Sequence, residues 1–247
     1  MKRFFTSSST LWSCLVAMAM MVTAQSARAE YVKLTALSGT GGTGGEGYAS
    51  LVDAKVGTKM GHSFDPASTD EGKKYAWIVV KAEKAVVPEH YFLVTGGDTG
   101  SFPDRNWKSW RIYGANFESD AEAVRGDVND PAATGWTLID KQDATPLPGA
   151  NTASYVLDFS EAPQTAYQYY WIEVLESVKG SDVWLQMSEW GLGTYAEFTK
   201  YLDDLANQTT GTDQPVIYNI ISGDRMDGSG ESLEKLFDGK IDTKPRT

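Results

Sequence analysis

Ser50 to Lys59 reads SLVDAKVGTK, and a second stretch, Lys235 to Lys244, reads KLFDGKIDTK. Leu51, Asp53, Lys55, Thr58 and Lys59 return as Leu236, Asp238, Lys240, Thr243 and Lys244, and Gly45-Glu46 returns as Gly230-Glu231. An apolar, strand-like run ending in Ser-Gly precedes each copy: VKLTALSG before the first and VIYNIISG before the second. Solenoid units recur every ~20–50 residues, and these copies lie several times farther apart, so the repeating unit is a domain with its linker. The sequence is therefore read as one complete module over residues 30–194 and the incomplete start of a second over 215–247. With no partner strands from its own repeat, the second segment is expected to be disordered or loosely docked on the first module, without a binding function of its own.

Outward from that loop, apolar residues come in short runs separated by turn-forming residues. Strands are expected near Tyr31–Leu37, Trp77–Ala82, Tyr91–Thr95, Trp110–Tyr113, Trp136–Ile139, Ser154–Phe159, Tyr169–Leu175 and Trp184–Leu192. These runs are rich in Val, Ile, Tyr, Trp and Phe, which suit a pleated, half-buried surface. Eight such runs without long helical periods between them imply an all-β, antiparallel sandwich. Phe198, Tyr201, Leu202 and Leu205 break the habit with helical spacing, so residues 195–214 are read as a short helix followed by a polar linker.

The first 29 residues belong to export rather than to the fold. Lys2 and Arg3 lead into the apolar run Leu11 to Val22, which ends at Ala27-Arg28-Ala29, the layout of a secretory signal peptide. The run is shorter than the ~20 residues a spanning helix needs, so no membrane insertion is expected of the mature form. The single cysteine, Cys14, lies inside this signal, so the mature chain has neither disulfides nor thiol chemistry, which favours a bacterial exported protein, secreted, periplasmic or at the cell surface. Removing the signal takes away Lys2, Arg3 and Arg28 and no acid, so the formal charge of −11 becomes −14. A chain this acidic is repelled by phosphate backbones and anionic lipids, which leaves neutral ligands and cations as partners.

Two constellations carry chemistry. Asp53 and Thr58 sit in the repeated loop, and Glu189 lies in the last apolar run, two residues on from Met187 and four from Leu185. Strand alternation would put that carboxylate on an apolar face, where it must find a cation or several donors. Oxygen ligands from a loop together with a carboxylate suit Ca²⁺; the other reading pairs the loop acid with Lys55 or Lys59 and leaves Glu189 in solvent. The face carrying Trp184, Gln186, Ser188 and Trp190 is also partly aromatic, so alternation alone does not say which side is inward. The second constellation is Gly96 to Gly114, GGDTGSFPDRNWKSWRIYG, a long loop presenting Asp98, Phe102, Arg105, Asn106 and Trp107. An aromatic platform with planar amide and guanidinium donors suits a neutral sugar, whereas an Asp98–Arg105 ion pair with Trp107 capping the core would make the same loop structural.

Four motifs in order, the L-V/F-D-G/A-x-x-x-T-K loop, R-N-x-x-S-W-x-I-Y-G, Y-x-Y-Y-x-I-E-V and L-Q-M-S-E-W-G-L, resemble discoidin domains. These are also called F5/8 (coagulation-factor) type C domains, and their bacterial relatives are the family 32 carbohydrate-binding modules. The resemblance runs from about Tyr31 to Thr194 and implies an eight-stranded jelly-roll β-sandwich of the galactose-binding-like kind. It implies a structural calcium ion at Asp53, Thr58 and Glu189 with backbone carbonyls near Ala54 to Lys59, although Gly57 stands where the family has a second acid and the second copy has Asp242. It also implies sugar-binding positions at His62, Arg105, Asn106 and Trp184. The expected partner is a neutral glycan or glycoprotein bound by part of a longer multidomain chain, the alternative being a protein-binding or spacer domain of a surface adhesin. An enzyme is not expected: only His62 and His90 are present, without a G-x-S-x-G elbow or a cluster of metal-ligating histidines.

Overall fold

Alternation of large apolar side chains along YQYYWIEVLES makes Tyr167–Ser177 the central strand of the largest sheet, and the rest of the fold is arranged around it. The computed structural model describes residues 32–193, apart from 41–44, 66, 70–73, 124–130, 144, 146, 148, 157–158, 162 and 179–182, together with residues 217–222. The signal segment 1–29, the helix and linker expected over 195–214 and the second copy of the loop at 235–244 lie outside the described residues.

The strands are β1 (Leu34–Gly39), β2 (Met60–Phe64), β3 (Ala76–Val86), β4 (His90–Val94), β5 (Trp107–Ala115), β6 (Thr137–Gln142), β7 (Thr152–Val156), β8 (Tyr167–Ser177), β9 (Val183–Met187), β10 (Glu189–Gly193) and β11 (Ile217–Ser222). They form a five-stranded sheet in the order β1-β3-β8-β5-β6, a four-stranded sheet β10-β4-β7-β11 and a two-stranded ribbon β2-β9. All pairings within residues 34–193 are antiparallel. The architecture is the expected all-β antiparallel sandwich, with two corrections to the count of eight strands. The sequence MGHSF, poor in β-branched residues, is nonetheless a strand, because its backbone completes a ladder with β9. The run Trp184–Leu192 is two strands rather than one: it bends at Ser188, pairing first with β2 and then with β4.

The core fills the space between the sheets. Ile78 and Val80 of β3, Trp110 and Ile112 of β5 and Tyr170, Ile172 and Val174 of β8 face Tyr91 and Leu93 of β4 and Trp190 and Leu192 of β10; Met60, Phe64, Leu185 and Met187 close one end. Ile172 is fully buried at its centre, and shortening it to Ala would cost about 2–5 kcal/mol. A buried polar clip joins the two large sheets. The Tyr91 hydroxyl donates to Asp140 Oδ2 at 2.5 Å and accepts from Trp110 Nε1 at 2.8 Å, while Asp140 Oδ1 accepts from Ser160 N at 2.7 Å. Each buried polar atom in that chain has a partner, the condition under which such a network stabilises.

The five-stranded sheet is also covered on its outer face. Val79, Tyr113, Tyr169 and Trp171 pack there against Phe117, Ala123 and Trp136 from the β5–β6 connection. Tyr113 stacks on Trp171 at 4.8 Å between centroids, and Trp136 meets Trp171 edge-on at 5.8 Å.

β11 is the described part of the segment expected to be disordered or loosely docked on the first module. It lies parallel to β7, Ile217 opposite Thr152 and Ser222 opposite Val156, so the opening strand of the second copy is seated on the first module.

Candidate functional site

Strand alternation places the candidate residues once the ribbon's register is known. Met60 faces Met187, His62 faces Leu185 and Phe64 faces Val183, while Gly61 faces Gln186 and Ser63 faces Trp184. Residues directly opposite in an antiparallel pair share a side. Met60, Phe64, Leu185 and Met187 are core residues, so Gly61, Ser63, Trp184 and Gln186 form the outer face. Trp184 is 40% exposed there. His62, expected among the sugar-binding residues, lies on the core side at 9% exposure, away from the face that carries Trp184. Ser63 is the β2 residue that stands beside Trp184.

The long loop supplies the rim. Its 3-10 turn, Pro103–Arg105, lies against β9, and the Arg105 guanidinium sits over the Phe102 ring at 3.8 Å. Phe102 is 40% exposed. Stacking on an aromatic face holds a guanidinium in place while leaving its N–H edges to other acceptors. The Asp98–Arg105 ion pair does not form: Asp98 pairs instead with Lys59 at 2.6 Å. Trp107 is buried in the core. Asn106 is also buried, its Oδ1 accepting from Thr99 Oγ1 at 3.1 Å and its Nδ2 donating to Leu147 O at 3.3 Å. Asn106, expected as a donor to a ligand, therefore has its amide engaged in clipping the loop.

Around Gln186, two residues along the same face from Trp184, runs a polar network that the sequence reading did not assemble. Lys59 Nζ donates to Asp98 Oδ2 at 2.6 Å and to Gln186 Oε1 at 3.0 Å, with Glu46 at 3.6 Å. Gln186 Nε2 donates to Thr99 Oγ1 at 3.4 Å, whose hydroxyl continues to Asn106. Glu46 folds over Gly61, its carboxylate lying where a Cβ would otherwise stand. The return of Gly45-Glu46 and Lys59 in the second copy was the available sign that these residues act together.

The other constellation does assemble. Lys55 N lies 3.0 Å from Asp53 Oδ1 and 2.6 Å from Glu189 Oε1, so two carboxylates converge on one amide. The Thr58 hydroxyl lies 2.9 Å from both oxygens of Asp53 and 2.9 Å from Lys55 O. Ala54, at φ 60, turns the loop through the left-handed region. Because the chain bends at Ser188, the alternation resets: Trp190 and Leu192 join the core and Glu189 points away from it. Glu189 is fully buried all the same, so it lies neither on the apolar face nor in solvent but against the first loop. Two carboxylates and a hydroxyl are hard oxygen donors of the kind a Ca²⁺ ion takes. Among the described residues no group of three or more His, Cys, Asp or Glu side chains converges, so backbone carbonyls and water would complete the coordination of such an ion. A pocket of about 150 Å³ opens beside this loop, between Val32, Asp53, Phe92 and Trp190.

No helix among the described residues is long and apolar enough to cross a membrane. No family model matches the chain, and no curated protein matches it. Solved structures do resemble it. The family 32 carbohydrate-binding module of NanJ from Clostridium perfringens, solved with galactose, has a TM-score of 0.42 at 14% identity, covering 65% of this chain and 93% of that one. An F5/8 type C domain from Bacteroides fragilis has a TM-score of 0.47 at 14% identity, covering 67% and 96%. The family 32 module of EndoD from Streptococcus pneumoniae has a TM-score of 0.44 at 16% identity, covering 66% and 97%.

Proposed function

We propose that residues 32–193 are a carbohydrate-binding module of an exported protein, acting by binding alone, with its ligand site on the outer face of the β2–β9 ribbon. The observation that carries this reading is Trp184, exposed beside Ser63 on the outer face of β9, the strand that the Pro103–Arg105 turn packs against. An exposed indole offers a flat apolar surface to the face of a sugar ring. Arg105 and Ser63 supply hydrogen bonds to its hydroxyls. Asp98 and Glu46 both engage Lys59, an arrangement that supports holding a ligand rather than acid–base chemistry. A neutral glycan suits this acidic chain better than an anionic one. A structural Ca²⁺ at Asp53, Thr58 and Glu189 would tie the first loop to β10 and firm the ribbon's edge.

The test is a glycan array read with wild type and Trp184→Ala in millimolar calcium, alongside a thermal melt of each. Wild type is expected to be retained by a neutral glycan and the variant to lose retention while still melting cooperatively. Wild type that is retained by no glycan would assign the face to a protein partner or a spacer role.

A further inference from the structure

The described strands pair antiparallel everywhere except at one edge. β7 is buried along its whole length and pairs with β4 on one side. Its other side takes β11 in parallel register. That occupant comes from far along the chain, from VIYNIISG, the second copy of the opening whose first copy, VKLTALSG, supplies β1. β1 pairs antiparallel with β3 in the five-stranded sheet. Both strands shift register at the corresponding place, between Ala36 and Ser38 in β1 and between Ile220 and Ser222 in β11, just before Ser-Gly. One kind of opening strand thus fits two edges, in opposite directions, with the same irregularity. What the two pairings share is the backbone ladder, the row of N–H and C=O groups that an edge strand presents and that strand addition uses for affinity.

We propose that the outer edge of β7 is a strand-acceptor site for the opening strand of this repeat, and that it takes this strand from a second copy of the chain as well as from its own. The strand of the same chain competes through its tether, which holds it at an effective concentration of order millimolar. An identical strand from another copy makes the same ladder, so a vacated edge is filled in trans.

The test uses the full chain. Adjacent residues of a strand point their N–H groups to opposite sides, so the double variant Asn219→Pro/Ile220→Pro removes whichever faces β7. The probe is a fluorescent synthetic peptide of residues 215–223, PVIYNIISG. It is expected to bind the double variant saturably, to bind wild type about tenfold or more weakly because the tethered strand competes, and to restore hydrogen-exchange protection at Thr152–Val156. A peptide carrying the same two prolines should not bind. Two differently tagged wild-type preparations, concentrated together, should yield mixed dimers that the double variant does not form. The proposal is overturned by a natively melting variant that ignores the peptide, by binding that leaves Thr152–Val156 unprotected, by the absence of mixed dimers, or by a variant that unfolds, since β11 would then be an integral strand.

Discussion

Lys59 holds the first loop, the long loop and β9 together at one ammonium group, and a double-mutant cycle with Asp98 measures how firmly. The pair is 2.6 Å apart, with side-chain exposures of 18% for Lys59 and 36% for Asp98. At an effective dielectric constant of about 20, opposite charges at that separation attract by about 6 kcal/mol before desolvation is counted. Fully exposed pairs keep only about 0.2–1 kcal/mol of such attraction, and breaking one partner of a buried pair costs about 3–5 kcal/mol. Partial burial puts Lys59–Asp98 between these limits, so a coupling of about 1–2 kcal/mol is expected, within the range for residues in contact. The proteins are wild type, Lys59→Met, Asp98→Asn and the double variant, with stability read from urea unfolding. Methionine keeps the apolar stem of Lys59 packed, so the cycle reports the charge. Raising the salt to 1 M, where the screening length is about 3 Å, should remove less than half of the coupling. A coupling below about 0.3 kcal/mol, or one that salt abolishes, would refute the reasoning and make the pair an ordinary surface contact.

Other substitutions and conditions test separate parts of the structure. A Cβ at Gly191 would press on the ring of Phe92, which is itself buried; Gly191→Ala should therefore destabilise by about 1–3 kcal/mol in urea unfolding, whereas a cost near zero would mean that the ring has room to move. Gly57 is exposed with open space where its side chain would go, so Gly57→Asp, which copies Asp242 of the second repeat, should fold normally. If the loop holds calcium, that variant should show a larger calcium-dependent rise in Tm than wild type; equal melts in calcium and chelator for both proteins would remove the ion from the loop. Burial, aided by the charge of Glu173, pushes the Tyr113 hydroxyl up to about 12, and burial raises Tyr91 and Tyr170 in the same direction. Tyrosines of the unfolded chain ionise near pH 10, so this stability is complete below about pH 10 and is lost as pH rises toward 12. Absorbance at 295 nm should show these tyrosines ionising together with loss of the fold, and their independent titration near pH 10 in folded protein would contradict the burial.

The sheets were legible because their strands bury large side chains on regular alternation: Tyr170, Ile172 and Val174 mark β8 from sequence alone. β2 was not, since MGHSF has little intrinsic strand preference and is recruited by its partner. Alternation has limits where strands bend and loops meet. His62 enters the site through the family resemblance alone, and its pairing with Leu185 puts it on the core side. Counting along one strand leaves the face of Glu189 open, because the bend at Ser188 resets the count. Asn106 reads as a donor presented by the long loop, and its amide is taken up by Thr99 and Leu147, contacts made across loops that no local pattern reports. The convergence of Asp53, Thr58 and Glu189 was legible, because a repeated loop and a carboxylate amid apolar residues each require a partner. The Lys59 network was only half visible: the repeat marks Glu46 and Lys59, whereas Asp98 and Gln186 join them through tertiary contact.

The distribution of tryptophan also has an optical consequence. Among the described tryptophans, Trp107, Trp110, Trp136, Trp171 and Trp190 are buried and Trp77 is half-buried, while Trp184 stands 40% exposed on the outer face of the ribbon. Most of the emission therefore arises from indoles shielded from water, and the red edge of the spectrum belongs largely to one ring. A dissolved quencher samples that ring first, and the negative charge of the chain makes caesium a better visitor than iodide. Anything that settles on Trp184 shuts the quencher out and shifts the red edge toward the blue, leaving the other indoles as an internal standard. The molecule carries, without any label, a fluorescent gauge of whether that face is covered.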